Sequence, residues 1–287
     1  MFDLIVQQLF NGLSVGMSYA LIALGLTLVF GVLHIINFAH GEFYMIGGFG
    51  VVLATTYLGA SYLVAVPLGI VASVVVALIV DATAVRPVLH RRDGGNSALL
   101  GTYAAGILIQ EAVLYAQGPA PQRIDGVLGA VTMGDMVFTY QRLAVIVAGI
   151  VLLLVVNETM KRTSLGRDLR AIAQDHFAAQ VIGVKVKRVR SVTFLLAAAL
   201  AGAAGALIVP ISLFTPYIGQ NVVLKAFVVV VIGGMGSVTG AVVAGIGIGL
   251  LEILLRSFVI DGIAQAILMS LLIATLLVRP QGLFKAH

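Results

Sequence analysis

Val147-Ala-Gly-Ile-Val-Leu-Leu-Leu-Val-Val156 carries no polar side chain and does not alternate. A membrane β-strand has to alternate apolar and polar positions, whereas a membrane helix needs roughly 20 mostly apolar residues in a row. The run sits inside a longer apolar segment, 141–157, and comparable segments recur at about 10–33, 43–60, 62–85, 97–117, 192–212, 222–236, 240–256 and 263–279. The fold class is therefore all-α, a polytopic transmembrane helical bundle. About eight or nine membrane segments are expected, some of them broken or re-entrant. Residues 1–287 read as a single membrane-embedded domain with one long polar loop at 157–191.

Composition agrees. Of 287 residues 60% are hydrophobic and only 10% charged, and the mean hydropathy is +1.11. Soluble domains run near 25% charged, so too few charges are present to clothe a water-soluble core. The 33 glycines suit helices that pack closely in a membrane. With no cysteine, disulfides and thiolate metal sites are excluded, and with no tryptophan an interfacial belt has to use Tyr and Phe. Met1-Phe2-Asp3-Leu4 lacks a basic n-region, and the apolar run behind it outlasts a signal peptide, so the first span is expected to stay in the protein.

The net charge of +5 is concentrated, and its placement points to a membrane surface and not to nucleic acid. Eight of the 17 basic residues are Lys161, Arg162, Arg167, Arg170, Lys185, Lys187, Arg188 and Arg190. Arg86, Arg91 and Arg92 precede the fourth span, and Arg279 and Lys285 follow the last. The positive-inside rule makes these three regions cytoplasmic. The N-terminus then lies outside and the C-terminus inside, which requires an odd number of crossings. Nine crossings satisfy it if 222–256 crosses twice, with a re-entrant pair as the alternative.

Within 157–191, Asp168 to Ile182 contains neither proline nor glycine and is rich in helix formers. Leu169, Ile172, Ala173 and Phe177 recur at helical spacing, as do Ala178, Val181 and Ile182, and Gly183 is a natural stop. One short amphipathic helix is expected. Its apolar residues can anchor in a groove of a cytoplasmic partner, with Arg170 and Asp175 at the rim, or rest on anionic lipid.

Polar groups are costly inside a bilayer. Asn37, His40 and Glu42 interrupt an apolar run among Gly41, Gly47 and Gly48, and Gly233, Gly234 and Gly236 interrupt a second one in the other half of the chain. Paired interruptions point to a translocation pathway. The plainer alternative is a cytoplasmic turn near the inner face whose polar groups cap helix ends, with Glu42 favoured by the dipole of the following helix. Glu111 and Glu252 read as interhelical hydrogen-bonding groups, Lys225 being the one intramembrane base in reach of such a role. The stripe Ala197–Ala206 reads as packing. There is no G-x-x-x-x-G-K-[ST] loop, no H-E-x-x-H or other metal spacing among the five histidines, and no G-x-S-x-G elbow. No enzyme activity, bound cofactor or metal is expected of this chain.

Four stretches together resemble one family. Ile36-Asn-Phe-Ala-His-Gly-Glu-Phe-Tyr-Met-Ile-Gly47, the loop Ser164–Gly183, Gly233-Gly-Met-Gly-Ser-Val-Thr-Gly-Ala241 preceded by Pro216-Tyr-Ile-Gly219, and Val278-Arg-Pro-Gln-Gly-Leu-Phe284 resemble the LivH-type permeases of branched-chain amino acid ABC importers, in the family's order and across nearly the whole chain. The resemblance implies a permease domain of the bacterial inner membrane that pairs with a LivM-type permease. It also implies two ATPase subunits, which hold the ATP and Mg, and a periplasmic substrate-binding protein. On this reading 168–183 is the ATPase-facing helix. Similar permeases serve urea, amides or organic acids, and an ion-coupled secondary transporter using Glu42 or Glu111 is the alternative outside the family.

Overall fold

The computed structural model describes residues 2–33, 37–88 and 94–284. Arg91, Arg92 and Lys285 lie outside the described residues. The elements are α1 (Phe2–Leu33), α2 (His40–Thr56), α3 (Tyr62–Val80), α4 (Gly94–Gln117), β1 (Ala130–Met133), β2 (Met136–Thr139), α5 (Tyr140–Arg162), α6 (Ser164–Gln174), α7 (His176–Val181), α8 (Val186–Ile208), α9 (Ile218–Gly233), α10 (Val238–Arg256) and α11 (Asp261–Val278). A π-helical turn, Asp81–Val85, prolongs α3. Among the described residues seven helices are long and apolar enough to cross a membrane, and α9 is a shorter apolar helix. The protein is a multi-pass helical bundle.

Sequence composition decides which helices are central. α1 and α8 are buried along most of their length, whereas α11 buries only Ala264 and Leu268. In lipid no hydrophobic effect drives helices together, so close packing has to do it. α1 and α10 each carry a Gly-x-x-x-Gly pair, Gly12 with Gly16 and Gly245 with Gly249, and these pairs face one another. A Cβ on Gly12 would lie 2.9 Å from Leu250 Cα, and one on Gly16 would lie 2.9 Å from Ile246 Cα. The small-residue stripe of α8 works in the same way, with Gly202 against Ser73 of α3 and Gly205 against Tyr44 of α2.

The link from α4 to α5 holds an antiparallel hairpin in which Ala130 pairs with Thr139 and Met133 with Met136. The side chain of Gln7 in α1 acts as a third strand. Its Nε2 donates to the Val137 carbonyl at 2.9 Å, and its Oε1 accepts from the Val137 amide at 2.7 Å. This hairpin marks one end of the bundle; α6 and α7 mark the other, the basic end.

The single helix expected over Asp168–Ile182 is instead two. α6 begins earlier, at Ser164, where the Thr163 hydroxyl accepts from the Gly166 amide. It ends at Asp175, which is extended (φ −155°, ψ 111°) and whose Oδ1 accepts from the Phe177 and Ala178 amides at 2.8 and 2.9 Å. Aspartate is among the best N-caps, and here it starts α7 instead of continuing α6. Gly183 closes the pair at φ +92°.

Candidate functional site

α2 does not start at the end of the bundle. His40, its first residue, is fully buried, and its Nε2 donates to the Ile22 carbonyl at 3.0 Å. Gly25 makes room for it, because a Cβ there would lie 3.0 Å from the imidazole and 2.9 Å from the Ala197 carbonyl. Ile22 is eleven residues before the end of α1, and Ala197 eleven after the start of α8. At 1.5 Å per residue the start of α2 is thus about 16 Å inside the basic end by either measure. At Asn37, His40 and Glu42 a helix begins well inside the bundle, and its exposed backbone groups are met from within. The Ala39 amide donates to Asn37 Oδ1 at 3.0 Å, and the Phe38 amide donates to Thr102 Oγ1 of α4 at 3.3 Å. Ile36, which opens the first motif, lies outside the described residues.

α9 also starts inside the bundle, beside α2. A Cβ on Gly219 would lie 2.7 Å from the Gly41 carbonyl and 2.9 Å from Glu42 Oε2. The described part of the first motif, Asn37–Gly47, and Pro216–Gly219 therefore meet through Gly41, Glu42 and Gly219. Glu42 is buried, with Oε2 lacking a hydrogen-bond partner. It lies in the first turn of α2 and against the first turn of α9, where both helix dipoles favour negative charge. Asn37 Nδ2 is likewise buried and unpartnered. α4 covers this site with a buried stripe of Thr102, Gly106 and Gln110. At its margin Phe38 stacks edge-on to Tyr103 (5.9 Å between ring centres) and tilts against Phe227 of α9 at 5.7 Å.

The second interruption is a tight turn between α9 and α10. Gly233 ends α9, and Gly234 and Gly236 take φ values of +99° and +88° that only glycine adopts readily. The chain's last described residues are bound to this turn. The Leu283 amide donates to the Ile232 carbonyl at 2.8 Å, and the Phe284 amide to the Gly233 carbonyl at 3.2 Å. Gly282 has to be small as well, because a Cβ would lie 2.5 Å from the Gly234 nitrogen. The other two motifs outside the loop, Gly233–Ala241 and Val278–Phe284, thus fold onto each other.

α6 borders the same turn. A cavity of about 250 Å³ is lined by Thr27 and Leu28 of α1, Met160 of α5, Leu169 and Ala173 of α6, and Gly236. Leu169 and Ile172 do not face outward. They are buried in a small core with Ala179 and Val189, so they fasten α6 to its own chain. Arg170 is also engaged internally, with Nη1 donating to the Met160 carbonyl at 2.6 Å. The outward apolar residues belong to α7 and its end: Phe177, Val181 and Ile182 are each more than 70% exposed. Asp175 and Gly183 frame them.

The charges left over by the sequence reading fall into two groups. Glu252 of α10 accepts from Lys225 at 2.5 Å and from Tyr19 at 2.8 Å, which joins α1, α9 and α10, and it pairs with Arg256 of its own helix at 2.8 Å. The Lys225 pairing was the one available from the sequence; Tyr19 carried no signal there. Glu111, by contrast, is exposed on α4, and it is its neighbour Gln110 that is buried. No group of three or more acidic or histidine side chains suited to a metal ion occurs among the described residues.

Residues 8–278 match the family model described as "Branched-chain amino acid transport system / permease component". The chain is 33% identical to the high-affinity branched-chain amino acid transport system permease protein BraD of Pseudomonas aeruginosa, over 97% of this chain and 95% of that one. It is 33% identical to LivH of Escherichia coli K12, which carries the same description, over 97% and 94%. It is also 26% identical to the LivM permease of that organism, over 93% of this chain and 68% of LivM. Among solved structures it resembles PsaBC of Streptococcus pneumoniae in complex with Fab, with a TM-score of 0.51 and 14% identity over 98% and 97% of the two chains; that likeness concerns the fold alone. The chain belongs to the family of permease components of branched-chain amino acid transport systems.

Proposed function

We propose that this chain is one of two membrane-spanning subunits of an ATP-driven importer for branched-chain amino acids, with a LivM-type permease as the other. Two ATPase subunits hold the ATP and Mg, and a periplasmic binding protein delivers the substrate. The chain lies in the bacterial inner membrane with the N-terminus periplasmic and the basic end cytoplasmic, as the positive-inside rule requires. Alternating access follows: closure of the ATPases moves α6–α7, and the paired permeases open to one side or the other. The observation that carries this reading is the placement of α6. It is bound to its own chain by Leu169 and Ile172, it borders the Gly233–Gly236 turn through a shared cavity, and the α7 that follows it turns Phe177, Val181 and Ile182 outward.

In this mechanism the path runs past the joined starts of α2 and α9. Asn37 and Glu42 supply the polar groups at mid-depth, and His40 holds α2 to α1. Gly233, Gly234 and Gly236 form the hinge between α9 and α10 on the cytoplasmic side. Broken helices whose N-termini meet inside a bundle suit the recognition of polar groups without a fixed ion.

Vesicles holding the whole complex, with ATP on the ATPase side, test this. Leucine uptake should continue when proton and sodium gradients are collapsed and stop when ATP is removed. The reverse pattern would establish an ion-coupled transporter. Phe177→Asp with Val181→Asp removes two outward anchors, each worth about 2 kcal/mol if it fills a partner's pocket. ATP-driven uptake should fall more than about thirtyfold while the chain remains inserted. Unchanged uptake would remove α7 from the coupling role.

A further inference from the structure

The start of α8 and the end of the π-helical turn form a cleft of about 450 Å³ at the basic end, apart from the features above. Arg86, Lys187, Arg188 and Arg190 line it. Asp81, buried close by, accepts from Arg86 Nε at 2.7 Å and also interacts electrostatically with Arg190, which leaves Lys187 and Arg188 without an acidic partner among the residues lining the cleft. Arg190 Nε is recessed, shielded from solvent, and has no hydrogen-bond partner. The Ser191 hydroxyl adds a donor, and the floor is Val192 and Leu195. α3, which runs through the π-helical turn to Arg86, packs against α8 and turns Leu78 and Ile79 outward in its last turn.

Cations in a recess above an apolar floor that continues down a lipid-facing helix match a molecule with an anionic head and a hydrocarbon stem. We propose that this cleft binds the phosphodiester headgroup of an anionic phospholipid, with Arg190 and Ser191 reaching the phosphate and Val192, Leu195, Leu78 and Ile79 flanking the acyl chain. Basic pockets at the inner surface of a bilayer recognise such headgroups. An acidic protein surface is the poorer fit, because the buried Arg190 Nε admits only a small group. Free phosphate would leave the apolar floor unused.

The test uses the tagged chain with its associated subunits, reconstituted in vesicles of phosphatidylcholine with phosphatidylglycerol and released into mild detergent. Retained lipid is counted by native mass spectrometry. Lys187→Gln with Arg188→Gln changes two exposed side chains and should leave the fold intact; Arg190→Gln is a second, independent variant. Lys161→Gln with Arg162→Gln, at the exposed end of α5, controls for general surface charge. Retained phosphatidylglycerol should fall about tenfold or more in both cleft variants and stay unchanged in the control. Excess inorganic phosphate should not displace it. Equal retention in all variants would overturn the proposal. Displacement by inorganic phosphate would make the cleft a soluble-anion site. Loss of co-isolated subunits with unchanged lipid would make it a protein-docking surface.

Discussion

Glu252 accepts hydrogen bonds from Tyr19 of α1 and Lys225 of α9 and pairs with Arg256 of its own helix, and Lys225 is only 14% exposed beside it. Charges in a low-dielectric interior are stable only in such company, and removing one partner leaves the other uncompensated. Glu252→Gln should therefore cost about 3 kcal/mol of stability, and Tyr19→Phe only about 1 kcal/mol for a single hydrogen bond. Combining Glu252→Gln with Lys225→Met should recover much of the loss, because no lone ammonium remains. Thermal unfolding of the detergent-solubilised protein ranks the variants, and a double variant as weak as Glu252→Gln would contradict the pairing. This network was half legible. An intramembrane glutamate and lysine announce themselves by cost, but Tyr19 lies 206 residues from Lys225 and is an ordinary aromatic in the sequence.

Two kinds of element boundary matter, and the sequence exposed them unequally. Gly233–Gly236 was readable as a break because positive φ selects glycine. Asp175 was not, because aspartate inside an otherwise helical stretch reads as a tolerated residue until its side chain is seen on the Phe177 and Ala178 amides. Asp175→Ala should destabilise α7 by about 1 kcal/mol. Faster amide hydrogen exchange confined to 176–181 is the expected result, and unchanged exchange there would show that the cap is dispensable. The α1–α10 contact is the other such case. Its two Gly-x-x-x-Gly pairs lie far apart in the chain, and only their meeting gives them meaning. Gly16→Leu should force the helices apart and cost about 2 kcal/mol or more through overpacking, seen as a lower unfolding temperature in detergent. Gly247→Leu on the same helix α10 has nothing within 4 Å and should be tolerated.

Across the whole molecule, the apolar runs located most of the bundle because each reports its own length. What they omit is relative height. Nothing in His40–Thr56 says that α2 begins about 16 Å inside the basic end; that follows from its bond to Ile22, which only the packed structure supplies. The same limit hid the way the family stretches outside the loop combine, Gly41 on Gly219 and Phe284 on Gly233. Packed this way, the family stretches bring the polar break deep in the bundle, the Gly233–Gly236 turn and the outward α7 into one helical bundle, which the proposed function reads as one half of a permease pair. The most direct test is to isolate the tagged chain from its native membrane under gentle detergent and identify its companions by mass spectrometry. A second, LivM-like permease and two ATPase subunits should be found in stable association with it. A single species with no ATPase would contradict the proposed function.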